Sequence, residues 1–116
     1  MSRDKKYALF IGRYQGFHAG HRFIFEQKLK EGIPVLIAVR DVETDEKNPF
    51  TAEQVKFRIE DELKDWILHG NCKVIIIPDI EGVYYGRDVG YKVEQIQAPK
   101  EIQEISATQV RKEMGL

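Results

Sequence analysis

A chain of 116 residues suits one domain of ordinary size, expected here to span residues 1–116, and its 42% hydrophobic content excludes a disordered or low-complexity polypeptide. Eighteen basic residues against nineteen acidic ones leave a net charge of −1, which gives no overall attraction to nucleic acid or to an anionic membrane. With one cysteine, no apolar run near the ~20 residues of a membrane span and only five apolar residues after the charged MSRDKK start, a soluble protein of the reducing cytoplasm is expected.

Residues 7–11 (YALFI) form a continuous apolar run of strand length, closed by Gly12. A glycine-punctuated loop follows, and residues 22–29 then carry Phe23, Ile24 and Leu29 among charged residues, which predicts an amphipathic helix ending near Gly32. The second strand is residues 33–39 (IPVLIAV), whose lack of polar alternation predicts a parallel strand buried on both sides. Residues 40–49 are polar and read as a surface loop. Thr51 and Gln54 form a capping box that opens a helix running to about Leu68, with Val55, Ile59, Leu63, Trp66 and Ile67 on one face and His69-Gly70-Asn71 as its stop. Trp66 on that face reads as core rather than as a ring-stacking platform, and Cys72 as a small core residue at the start of a third buried strand, residues 72–77, closed by Pro78.

Beyond Pro78 the pattern is weaker. Gly82, Gly86 and Gly90 mark residues 79–90 as a loop, residues 91–97 alternate ambiguously, and Ser106 with Gln109 forms a second capping box that opens a short helix. The succession strand–helix–strand–helix–strand predicts an α/β domain with a mostly parallel sheet and right-handed crossovers.

Ligands of such sheets bind beyond the carboxyl ends of the strands, which is where the loop after Ile11 lies. Its sequence, GRYQGFHAGH, is neither a dinucleotide fingerprint nor a Walker loop, because the glycines fall four apart and no Gly-Lys-Ser/Thr follows. It does concentrate phosphate donors: Gly12 for close backbone approach, Arg13 as a cation, amides near Gly20 at a helix start, and the imidazoles of His18 and His21. His-x-x-His is also a zinc spacing. Yet only His69 and Cys72 remain as further soft ligands, so no metal site is assigned. A second anion-binding set stands at 105–111 (ISATQVR), where Ser106, Thr108 and Arg111 gather at one helix N-terminus.

Taken together, Gly12-Arg13-Tyr14-Gln15 with His18-Ala19-Gly20-His21 resembles the HxGH signature of the cytidylyltransferase-like nucleotidyltransferase superfamily, and Ile105 to Arg111 resembles its ISSTxxR signature. The resemblance implies a Rossmann-like three-layer domain that transfers a nucleoside monophosphate from an NTP to a small phosphorylated acceptor, releasing pyrophosphate. It implies that His18 and His21 stabilise charge at the α-phosphoryl group and the leaving pyrophosphate. Ser106, Thr108 and Arg111 would hold the β- and γ-phosphates, and the amides of Gly12 to Tyr14, with Arg13, would lie along the α-phosphate. Such transfer depends on positioning and charge stabilisation, with Mg²⁺ carried by the NTP itself.

The loop and the stretch Asn48-Pro49-Phe50-Thr51-Ala52 resemble the GRFQPFH and NPFTA stretches of archaeal-type nicotinamide mononucleotide adenylyltransferases, which favours ATP; Gly16 stands where that form has proline. Arg40, Tyr84, Tyr85, Arg87 and Tyr91 are the candidates for the acceptor wall. A cytidylyltransferase acting on a sugar- or polyol-phosphate and a non-catalytic nucleotide-binding module are the alternatives. A homo-oligomer is compatible with so small a domain.

Overall fold

The computed structural model describes residues 6–17, 19–86, 90 and 93–96. Three strands, β1 (Ala8–Gly12), β2 (Val35–Asp41) and β3 (Cys72–Pro78), form a parallel sheet in the order β1-β2-β3. Register is continuous across it: Ile11 lies beside Ala38, and Ala38 beside Ile75. The central strand is the most apolar, as its unbroken hydrophobic run requires. Val35, Ile37, Ala38 and Val39 are all inaccessible to solvent.

Helix α1 (Ala19–Lys30) connects β1 to β2, and α2 (Ala52–Glu62) with α3 (Lys64–Leu68) connects β2 to β3. Phe25 of α1, Val55 and Ile59 of α2 and Leu63 pack in one cluster with Val35, Ile37, Val39, Cys72 and Val74, so the helices share one face of the sheet. This is an α/β Rossmann-like arrangement. The further helical layer implied by a three-layer domain, and the short helix expected after Ser106, lie outside the described residues. No helix among the described residues is long and apolar enough to cross a membrane.

The helix ends follow from local chemistry. Thr51 Oγ1 accepts the Gln54 N–H at 3.2 Å while Gln54 Oε1 accepts the Thr51 N–H at 2.8 Å, the expected capping box. Gly32 and Gly70 take positive φ values of 79° and 74° directly after their helices. The N–H groups of Ile33 and Asn71 then reach back to the carbonyls of Lys28 (3.0 Å) and Trp66 (2.8 Å), closing both helices in Schellman fashion.

Several boundaries differ from the sequence reading: β1 and β2 are shifted toward the C-terminus, β2 running Val35–Asp41 where residues 33–39 were expected, and β3 takes in Pro78. The first helix begins at Ala19, before its apolar periodicity starts, and the helix expected to run through to Leu68 is broken at Leu63, where φ is −111° and ψ 21°. Leu63 is itself fully buried, so the break turns the chain around a core contact. Trp66 packs against the core as expected, and the Arg22 guanidinium lies over its ring at 4.9 Å. Residues 79–86 are irregular, and residues 93–96 adopt neither helix nor strand.

Cys72 is 3% exposed, and its thiol is pushed from 9.0 up to about 11, first by burial and then by the charge of Glu60. The folded protein therefore holds a proton that the unfolded chain releases near pH 9. The resulting contribution to stability is complete below about pH 9.0 and is lost as pH rises through about 11. Urea midpoints measured from pH 8 to 11 are expected to fall less steeply in Cys72→Ala than in the unsubstituted chain. Parallel slopes, or rapid thiol labelling of native protein at pH 8, would show the thiol to be accessible.

Candidate functional site

At the carboxyl edge of the sheet the chain leaves β1 through Gly12 and must turn sharply to enter α1 at Ala19. The turn is made by Tyr14, whose φ of 48° is the only positive value among the described non-glycine residues. A bulky side chain in this region costs about 1–2 kcal/mol, so the surrounding packing has to hold it there. That packing is visible. The Tyr14 ring is 9% exposed and lies over the backbone of Gly12, where a Cβ would come within 2.9 Å of Tyr14 Cζ. The group packed against Gly12 is thus an aromatic ring of the same loop. Burial holds the Tyr14 phenol well above its ordinary pKa, so it stays protonated.

Gln15 joins this loop to the segment before α2. Its Nε2 donates to the Phe50 carbonyl at 3.0 Å and its Oε1 accepts the Phe50 N–H at 2.9 Å, so one 5%-exposed side chain satisfies both backbone groups of a residue 35 positions away. Beside it, Arg13 Nη1 donates to Asn48 Oδ1 at 3.3 Å. Asn48 is in turn fixed by Asp45. The Asp45 carboxylate accepts the N–H groups of Asn48 (2.7 Å) and Lys47 (2.8 Å) and Asn48 Nδ2 (3.1 Å). Those bonds, the Asn48 N–H foremost, hold the Asp45 carboxyl below its ordinary 3.8.

His21 stands in the first turn of α1, half-buried, with its ring against those of Tyr14 and Phe17. Gly20 is buried beside it, and Arg13 is exposed at the loop surface. His18, the partner of His21 in the expected pair, lies outside the described residues, as do Ser106, Thr108 and Arg111.

The expected acceptor wall is only partly within the described residues. Arg40, at the end of β2, gives its guanidinium to Asp79, with Nε at 2.9 Å and Nη2 at 2.7 Å from Oδ1, and Nη2 reaches the Ile80 carbonyl at 3.4 Å. It thereby ties the end of β2 to the chain leaving β3. Tyr84 and Tyr85 are exposed, and the Tyr84 hydroxyl donates to Glu81 at 2.5 Å, a bond that raises its pKa. Arg87 and Tyr91 lie outside the described residues.

A cleft of about 580 Å³ opens between the end of β2 and the start of α2, lined by Asp41, Val42, Glu43, Thr44, Thr51 and Glu53. Its three carboxylates would repel a polyphosphate. Among the described residues no three His, Cys, Asp or Glu side chains stand close enough to hold a metal ion.

The chain is similar to a nicotinamide-nucleotide adenylyltransferase of Methanospirillum hungatei. The two are 33% identical over 75 residues, which is 63% of this chain and 42% of that protein, so the chain spans less than half the length of this curated relative. The likeness, distant and partial, supports a nucleotidyltransferase-like relationship. No protein-family model and no solved structure matches the chain.

The sequence reading missed Gln15, Asp45 and Phe17 as structural parts of this edge and gave Asn48 no role. Asp45 had a detectable signal, a short acidic side chain ahead of an Asn-Pro turn. Gln15 had only its place in the GRYQ resemblance, which says nothing of its backbone partners far along the chain. Gln15→Ala leaves the Phe50 N–H and carbonyl unpaired in a partly buried place, a loss of about 1–3 kcal/mol measurable by urea unfolding. An unchanged midpoint would show the joint to be inconsequential. Asp45 supplies the pH dependence. Protection of the Lys47 and Asn48 amides is expected above about pH 4 and should be lost as pH falls through 3.8 and below. Protection that persists in acid would contradict the Asp45 contacts.

Proposed function

We propose that this protein transfers a nucleoside monophosphate, AMP by preference, from an NTP to a small phosphate-bearing acceptor with release of pyrophosphate. The observation that carries this reading is the joint between Gln15 and Phe50, with Arg13 on Asn48 beside it. The GRYQ loop and the NPFTA stretch are the two segments that resemble adenylyltransferases, and they meet at the edge of the sheet where α/β proteins bind ligands. The named relative is an adenylyltransferase, which favours ATP as donor and makes nicotinamide mononucleotide the first acceptor to test.

In the proposed reaction an acceptor phosphate oxygen attacks the α-phosphorus, and the bond from that phosphorus to the β-phosphate bridging oxygen breaks as pyrophosphate leaves. A phosphate is already a nucleophile near neutral pH, so no strong base is required. His18 and His21 donate to the oxygens that gain charge, where fixed donors act most strongly. Arg13 and the amides around Gly12 to Tyr14 line the α-phosphate. Ser106, Thr108 and Arg111 hold the β- and γ-phosphates from the second anion-binding set. A Mg²⁺ ion bound to the triphosphate would neutralise part of its charge, and it would arrive with the nucleotide.

Pyrophosphate release measured with ATP, CTP, GTP and UTP against nicotinamide mononucleotide and a set of sugar and polyol phosphates tests this reading. Turnover with ATP is expected. Turnover confined to CTP with a polyol phosphate would replace it with a cytidylyltransferase, and NTP binding without turnover would replace it with a binding module. His18→Ala and His21→Ala are each expected to lower kcat by about 10²–10³-fold, with much smaller changes in NTP affinity. Equal losses of both quantities would count against a role in the transition state.

A further inference from the structure

The aromatic residues of the loop form a continuous column from the core to His21. Phe10 of β1 meets Phe25 edge-on at 4.9 Å, and Phe25 is fully buried. Phe25 backs both Tyr14 (5.9 Å, 67°) and Phe17 (6.2 Å, 19°). His21 lies one helical turn before Phe25 on α1, on the same side of the helix. Its imidazole meets Tyr14 edge-on at 5.1 Å and 84°, and Phe17 nearly face-to-face at 5.7 Å and 25°. Two rings at such different angles define a plane for a third.

The loop has also accepted costs to build this contact. Tyr14 occupies a left-handed conformation that strongly disfavours a bulky side chain, and Gly12 leaves the space into which its ring folds back. Backbone strain of this kind persists where the surroundings over-determine it, and it gathers at working parts of a protein. Neither Tyr14 nor Phe17 need touch a phosphate for the contact to matter.

We infer that Tyr14 and Phe17 are positioning residues that fix the plane of the His21 imidazole, with Phe25 as their rigid backing; the kinetic part of this inference rests on the function proposed above. A donor ring that tilts freely is misaligned for most of its time, and misplacement by about 1 Å costs about 10²-fold in rate. Phe17→Leu keeps an apolar side chain in the same place but removes the face on which His21 stacks.

Kinetics and NMR test the inference separately. Phe17→Leu is expected to lower kcat by about 10–100-fold with KM for ATP within about twofold, at a temperature where its thermal transition shows it folded. Phe17→Tyr should restore kcat. In a His21→Ala background, Phe17→Leu should cause no further loss, because the ring it positions is gone. The same loss in that background would overturn the inference by showing a general structural effect.

Ring-proton NMR decides the structural part even if no NTP is turned over, in which case the proposed function fails on its own. The His21 ring protons should be shifted upfield by the Phe17 face, a shift lost in Phe17→Leu and kept in Phe17→Tyr. Ring resonances unchanged in Phe17→Leu would overturn it. In the NMR readout Tyr14→Phe should keep the His21 ring-proton shifts, since the edge and not the hydroxyl makes the contact; their loss would contradict it.

Discussion

One side-chain amide holds the carboxyl edge of this sheet together. Gln15 matches its donor and acceptor to the carbonyl and N–H of Phe50, and so treats a distant segment as a strand would treat its neighbour. The loop after β1 seats Tyr14 and Phe17 in the core, and the segment before α2 packs Phe50 against it. Joined through Gln15, and beside it through Arg13 and Asn48, they become one surface resting on the buried rings beneath. Net gain per bond is modest, about 1 kcal/mol, but an unpaired backbone group here costs more, so the joint acts chiefly by excluding other arrangements.

This rigidity suits a site that works by placement. Transfer of a nucleotidyl group asks for donors held where charge develops and for little covalent chemistry. The edge offers a cation at Arg13, a helix start at Gly20 and an imidazole at His21 seated among packed rings. The cleft beside the start of α2 carries Asp41, Glu43 and Glu53 and would repel a polyphosphate. Arg40 is bonded to Asp79 and so joins the end of β2 to the chain after β3.

Much of the fold was legible because its signals are local. An unbroken apolar run gave β2, Thr51 with Gln54 gave the start of α2, and Gly32 and Gly70 gave the helix ends through backbone conformations that glycine adopts at low cost. The errors also have local causes. The helix start at Ala19 was hidden by Gly20, which reads as loop, and the break at Leu63 was hidden because its immediate neighbours Glu62 and Lys64 are good helix formers. In the site, the loop was found from its Gly, Arg and His content. The way it is held was not, because Gln15 answers backbone groups rather than a patterned side chain. Tyr14 was missed as the turning residue for a similar reason, since tyrosine rarely adopts a positive φ and composition gives no warning of it.

The proposed function requires the loop after β1 and the segment before α2 to form a single nucleotide-binding edge. Amide chemical-shift mapping with Mg·ATP tests it most directly. The account predicts perturbations in Gly12 to His21 and in Asn48 to Thr51, together with residues 105–111 of the second anion-binding set. Perturbations confined to the acidic cleft around Asp41, Glu43 and Glu53, or none at millimolar nucleotide, would contradict it.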